Sequence, residues 1–394
     1  MYRLDPAVQS YAWGSSTAIP EFAGWPATGE PLAELWYGGH RRGSARLADG
    51  SDRTLREVLA ADPVGLIGDD VIARLGPELP FLLKLIAPAS PLSLQVHPTA
   101  AQAALGFVRE ERAGLELDSP DRTYRDTNHK PEMVYALSEF EAVSGFRTAR
   151  RALELLSGLG TPLVDKTIER IRHGSSAQGM RAAFEYVLLG ARDRDVDVLE
   201  VTGRIAARLS AGSSPSEHSD RVALRLAEEF PGDRGILASL LLNPITLHPG
   251  EVMFVPAGCV HAYLSGLAVE IMASSDNVVR AGLTRKHIDA RALLDIVDVR
   301  PAPPMRVAAE RLGRHTSVFY APVEDFELAV VEPADQRIPV GGAGPRIVLG
   351  IGGTVELTGA DGVTALGPGE AAFLADGEPV EVAGTGRLVR ASVP

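Results

Sequence analysis

Cysteine is nearly absent. Cys259 is the only one in 394 residues, so no internal disulfide can form and a reducing compartment is expected. No uninterrupted apolar run of about 18 residues occurs, and no membrane span is expected. The opening Met1-Tyr2-Arg3-Leu4-Asp5-Pro6 has neither a basic n-region nor an apolar h-region, so no signal peptide is expected and the location reads as cytoplasmic. Positive charge is in deficit. The net charge of −12 argues against nucleic acid or an anionic membrane as the partner. Lysine is scarcest of the cations: Lys84, Lys130, Lys166 and Lys286 stand against 35 arginines. Arginine is the default cation of this chain, so a lysine points to a use for a compact ammonium group.

What is abundant sets the fold class. The 40 Gly and 28 Pro with only 6% aromatics predict many turns and short strands. The length predicts two or three domains. Residues 1–146 read as mostly β, with short apolar runs at Leu35–Tyr37, Pro80–Ile86 and Leu92–Val96. A helix capped by Thr54 is expected at Thr54–Ala61. The charged stretch Arg109–His129 reads as a long loop between strands. Residues 147–242 change to helical patterns: Ala149–Ser157 after the cap Thr148, then Ser176–Leu189, then a helix carrying Val198, Val201, Ile205 and Leu209, then one starting near Asp220. Residues 243–300 return to β runs with a helix at Asp289–Ile296, 301–316 reads as a crossing segment, and 317–394 is strand-like throughout. The expectation is therefore a mostly β chain with a helical insert. Its units are a β domain of 1–146 plus 243–300, an all-α insert of 147–242, and a second β domain of 301–394.

An internal repeat supports two related β units. Pro249–His261 aligns without a gap on Pro368–Val380, 119 residues later. Both copies read strand, tight turn, strand. The first has His261 where the second has Val380, so a ligand function of that histidine would be missing from the second unit. The run Gly250, Pro256, Gly258, His261 resembles the second cupin motif, in which a histidine faces into a jelly-roll barrel. Two cupin-type jelly-roll barrels are expected.

Further polar residues fall on shared faces. Ser93, Gln95 and His97 alternate along one strand, so they face one side while Leu94 and Val96 face the other. Lys130 and Glu132 are likewise two apart. Gln95 reads either as a cation ligand through its amide oxygen or as a hydrogen-bond partner across the barrel. Lys130 and Glu132 read either as cavity residues or as a surface ion pair. Together, Gln95, His97, Glu132 and His261 offer two imidazoles, a carboxylate and an amide. Nitrogen and oxygen donors without thiolate suit Zn²⁺, with Mn, Fe or Co fitting less well. Glu251 recurs as Glu370, which points to a role in the turn. Trp13 and Trp36 read as packing near the site.

Six ordered blocks resemble the type I phosphomannose isomerase family. They are Val8–Gly14, Ala33–Gly38, Leu79–Lys84, Leu92–Pro98, His129–Glu132 and Ile271–Lys286. The helical segment and the C-terminal unit match only in placement and size. Tyr37 stands where Met is usual, Arg285 where Pro is common, and Ser275 or its neighbour where Asn is usual. The resemblance implies a cytoplasmic enzyme that interconverts mannose 6-phosphate and fructose 6-phosphate through a cis-enediol(ate). It implies one zinc per chain, held by Gln95, His97, Glu132 and His261. The chemistry needs an electrophile for the developing oxyanion, for which Arg280 is expected beside the metal. It needs a base, for which Lys130 and Glu270 are the candidates. Asp276 or His129 would assist ring opening. Ser93, Lys84 and Lys286 are the expected phosphate contacts, with Arg280 alternatively paired to Asp276. A small-molecule sugar phosphate is the expected partner, and a monomer the expected state. A non-catalytic sugar-phosphate sensor would fit the same barrel but would have no need of Lys130. An Fe(II) oxygenase would need an open facial triad, against which Gln95 speaks.

Overall fold

A computed structural model describes residues 1–190, 195–334 and 336–394. The chain is mostly β, with helices concentrated between residues 149 and 239. Among the described residues the larger sheets have five, seven, eight and four strands. Their side chains define a stack. Leu94, Val96, Ala262 and Leu264 of the five-stranded sheet share a core with the helices. The opposite face of that sheet meets the seven-stranded sheet through Phe140, Tyr263, Ile86 and Val134. The other face of the seven-stranded sheet, with Leu83, Leu85, Val269 and Ile271, packs on Ile347, Leu349, Phe373 and Val389 of the eight-stranded sheet. The four-stranded sheet closes the stack through Val355, Leu357 and Val382. Strict alternation along each strand is what lets one sheet serve two cores.

Local expectations hold where a cap or a period carried them. Thr54 accepts the Glu57 N–H and Glu57 returns to the Thr54 N–H, so Leu55–Ala61 starts in a capping box. Thr148 caps Ala149–Leu156, and Ser176–Leu189 begins after the cap Ser175. The loop expected over 109–129 begins later, at residue 113. A helix, Ala100–Arg112, fills its first part. The remainder is tied down: Arg122 donates to Tyr124 O at 2.9 Å and pairs with Glu111 at 2.6 Å. The crossing segment at 301–316 is also corrected, since it contains the strands Met305–Val307 and Glu310–Leu312. The helices share their core with a sheet, so they do not form a cluster of their own.

Strand pairing runs across residue 301 in both directions. Tyr2–Asp5, at the start of the chain, pairs with Ala371–Leu374 in the eight-stranded sheet. Met305–Val307, past the expected boundary, pairs with Val252–Val255 in the seven-stranded sheet. The registers correspond: Arg3 lies opposite Ala372, and Arg306 opposite Met253, 119 residues earlier. Each arginine also pairs with the repeated glutamate, Arg306 with Glu251 at 2.5 Å and Arg3 with Glu370.

Candidate active site

Three strands of the five-stranded sheet put His261, Gln95 and Arg280 in one row. His261 is in register with Gln95, and Gln95 with Arg280. His97 follows the same strand as Gln95, and Glu132 opens Glu132–Ala136 in the facing seven-stranded sheet. His97, Glu132 and His261 bring their ligand atoms within 4.8 Å of one another, all buried. His97 Nε2 lies 3.1 Å from Glu132 Oε1, and His261 Nε2 lies 3.3 Å from Glu132 Oε2. Gln95 joins them, with its amide 3.3 Å from His261 Nε2. All four ligands expected from the sequence are brought together.

Hydrogen bonding settles the imidazole tautomers. His97 Nδ1 lies 2.8 Å from Asn277 O and His261 Nδ1 lies 3.0 Å from Cys259 O. A carbonyl only accepts, so both rings carry their proton on Nδ1 and aim the Nε2 lone pair at Glu132. His97 Nε2 is buried with no hydrogen-bond partner among the described residues. Burial pushes the His97 imidazole down to about 4, against the pull of Glu132. Burial also disfavours charge on Glu132, but the Lys130 ammonium 3.3 Å away opposes this, and the carboxyl is held well below its usual range. The lone pairs of His97 and His261 thus converge on the Glu132 carboxylate, with no proton among these three groups. That arrangement fits a divalent cation, and the donor set is one that metals such as zinc accept.

Around this centre the expected residues separate. Lys130 Nζ lies 3.3 Å from Glu132 Oε1. Lys84, in register with Glu270, donates to Glu270 Oε2 at 2.8 Å. Burial works against the Lys84 charge, and Glu270 and Glu34 more than offset it, so its pKa is raised. Burial raises Glu270, with Lys84 pulling the other way. Lys84 is therefore committed to an ion pair and faces the Trp36 ring at 5.3 Å. Ser93 donates to Gln95 Oε1 at 3.4 Å, beside the ligands. Asp276 pairs with Arg41 at 3.2 Å and with His40 at 3.7 Å, not with Arg280. His129 is drawn away, with Nε2 2.8 Å from Asp325 of the C-terminal segment.

Arg280 has no carboxylate partner among the described residues, and neither does Lys286, whose ammonium sits 5.1 Å over the Tyr11 ring. Burial lowers Arg280, with Arg125 and Arg42 adding to the effect. Burial likewise lowers Lys286, followed by Arg280. Four cations therefore repel one another at one end of the site, in a chain of net charge −12. Arg42 and Arg125 were not anticipated, although each lies near a matched block. Tyr263, which donates to Glu132 Oε2 at 3.0 Å, was also missed. Its signal was available: it follows His261 by two residues on one strand.

The family model described as "Phosphomannose isomerase type I, catalytic domain" matches residues 1–149. Mannose-6-phosphate isomerases of Salmonella typhimurium and Escherichia coli are 37% and 36% identical to this chain, each over 99% of both chains. The human mannose-6-phosphate isomerase is 33% identical over 84% of this chain and 82% of its own. A solved mannose 6-phosphate isomerase bound with zinc and yttrium superposes with a TM-score of 0.90 and 35% identity, over 100% of this chain and 99% of the other. With likeness of this extent, and with the expected donor set assembled between two sheets, the chain belongs to the type I phosphomannose isomerase family of isomerases.

Proposed function

We propose that this chain interconverts mannose 6-phosphate and fructose 6-phosphate as a zinc-dependent aldose–ketose isomerase. The observation that carries the reading is the donor-free His97 Nε2, facing Glu132 and His261 at a site whose Arg280 and Lys286 have no carboxylate partner among the described residues. Gln95, His97, Glu132 and His261 would hold one Zn²⁺ per chain. When bound, zinc supplies Lewis-acid stabilisation of oxyanion charge.

The protein groups divide the remaining work. Arg280, next to Gln95 in register, offers its guanidinium to the oxygen that becomes negative in the cis-enediolate. Of the two expected bases, Glu270 is the carboxylate whose proton affinity burial raises. We therefore assign it the proton that leaves C2 and returns to C1. Lys130, bonded to Glu132, steadies that ligand. Asp276, fixed by Arg41 and His40, is assigned to ring opening; His129 already has Asp325 as its partner. Lys286, Arg42 and Arg125 receive the phosphate, with the Ser93 hydroxyl beside them, while Lys84 holds Glu270. We read the five- and seven-stranded sheets as one cupin-type jelly-roll barrel. The eight- and four-stranded sheets make a second that lacks ligands. We also propose a cytoplasmic monomer whose partner is the sugar phosphate.

The test follows fructose 6-phosphate formation from mannose 6-phosphate with the protein as purified, after chelation and after zinc re-addition. Loss on chelation and recovery with zinc is the expected outcome. No turnover with one zinc bound per chain would overturn the isomerase reading and leave a binding protein.

A further inference from the structure

No step assigned above involves Tyr263, yet it is among the most enclosed polar groups of the site, 1% exposed. It lies on His261–Ser265, two residues after His261, so both side chains face the space between the two sheets. Its ring meets Phe140 at 5.4 Å, edge to face, and His261 at 5.6 Å. Its hydroxyl donates to Glu132 Oε2 at 3.0 Å. Each Glu132 oxygen thus has one imidazole lone pair and one donor against it. Oε1 has His97 Nε2 at 3.1 Å and Lys130 Nζ at 3.3 Å. Oε2 has His261 Nε2 at 3.3 Å and the Tyr263 hydroxyl. A carboxylate held at both oxygens cannot swing about its last torsion. The repeat sharpens the point. The residue 119 positions after Tyr263 is Val382, in the four-stranded sheet, and the eight-stranded sheet has Arg346 opposite Leu374 where the seven-stranded sheet has Glu132 opposite Val255. Where the carboxylate is missing, the hydroxyl is missing too.

We infer that Tyr263 is a positioning residue of the metal centre, holding Glu132 through Oε2 in the orientation in which it can ligate a divalent cation. The inference rests on the metal reading above. Without the hydroxyl, Oε2 is left buried against a lone pair, and the carboxylate is free to turn away from the orientation in which it ligates metal. Partners that orient a ligand typically change metal affinity about 10- to 100-fold.

Tyr263→Phe removes the hydroxyl and keeps the ring. Zinc affinity of the whole chain, measured by competition with a chromophoric chelator and without substrate, is expected to weaken about 10- to 100-fold. The visible absorption of the Co²⁺-loaded chain is expected to shift. In a Glu132→Gln background the same change is expected to move affinity less than about threefold, because the group through which Tyr263 acts is gone. Unchanged affinity in Tyr263→Phe, or an equal loss in both backgrounds, overturns the inference. The titration reads metal and not turnover. A chain that binds zinc as expected yet fails to isomerise therefore sinks the isomerase reading alone.

Discussion

Set side by side, the two copies of the repeat share a backbone and oppose each other in charge. Val252–Val255 and Ala371–Leu374 are strands at the same offset, followed by turns with Gly258 at φ 79° and Gly377 at φ 65°. Glu251 accepts the His248 N–H at 2.8 Å, and Glu370 accepts the Gly367 N–H at 2.8 Å. The neighbouring strands then diverge. Val255 is opposite Glu132 in the first copy, and Leu374 is opposite Arg346 in the second. Val134 is opposite Glu270, and Val348 is opposite Arg390. Both acids have become arginines. Arg346 donates to Ala375 O at 2.8 Å and to Glu378 O at 2.7 Å, and Arg390 pairs with Glu327 at 2.5 Å. One strand–turn–strand scaffold therefore carries two interiors: one that attracts a cation and one already filled by cations. Position in the scaffold does not dictate chemistry, and the charge on two facing positions does.

The strongest way to break the contrast is His261→Val, which gives the first copy the residue of the second. Zinc binding is expected to be lost and turnover to fall by about 10³-fold or more, read as metal content and rate of fructose 6-phosphate formation. Retained activity would show that the difference between the copies lies elsewhere.

Acid should strain the two regions unequally. His40 is buried and pushed down to about 4 from 6.5, chiefly by burial, with Lys84, Lys130 and Arg41 adding to this and Asp276 opposing. The fold resists a proton that the unfolded chain accepts. This term is therefore absent above pH 6.5, and stability is lost as pH falls from 6.5 towards 4, by about 3 kcal/mol. The only histidine after residue 300, His315, lies at the surface. Urea unfolding across this window should show a smaller slope for His40→Gln than for the parent chain. Equal slopes would remove the asymmetry.

The smallest effect tests the likeness. Glu251→Ala and Glu370→Ala each remove one side-chain bond to a turn N–H and one partner arginine, and each is expected to cost about 1 kcal/mol. Closely matched losses in chemical denaturation would confirm equivalent turns. A loss confined to one copy would show that the turns are held differently.

Much of this was legible in the sequence, and the boundary of legibility is physical. The ligand set could be read because period-two spacing puts Ser93, Gln95 and His97 on one face, and because a turn signature precedes His261. The scarcity of lysine pointed to Lys84, Lys130 and Lys286, all of which lie at the site. The role of Lys84 was not legible, since Glu270 is 186 residues away and only sheet register makes them neighbours. Arg42 and Arg125 escaped for the same reason, each lying in a segment without strand periodicity. The helix at Ala100–Arg112 escaped although Thr99 caps it in a capping box and its first nine residues carry no charge. The drift of Tyr2–Asp5 and Met305–Val307 into each other's sheets is a long-range choice that no local pattern encodes.

That crossing has a consequence for how the chain is made. Tyr2–Asp5 is synthesised long before its partner Ala371–Leu374. Until then the opening strand has only Arg46–Leu47 to pair with, and the seven-stranded sheet waits for Met305–Val307 to cover Val252–Val255. The seven-stranded sheet can be completed once Val307 is made, whereas the eight-stranded sheet closes only when Ala371–Leu374 reaches Tyr2–Asp5, a pairing of very long sequence separation. A nascent chain stalled near residue 300 would present bare strand edges, and this enzyme's yield in a cell would depend on the time spent in that state.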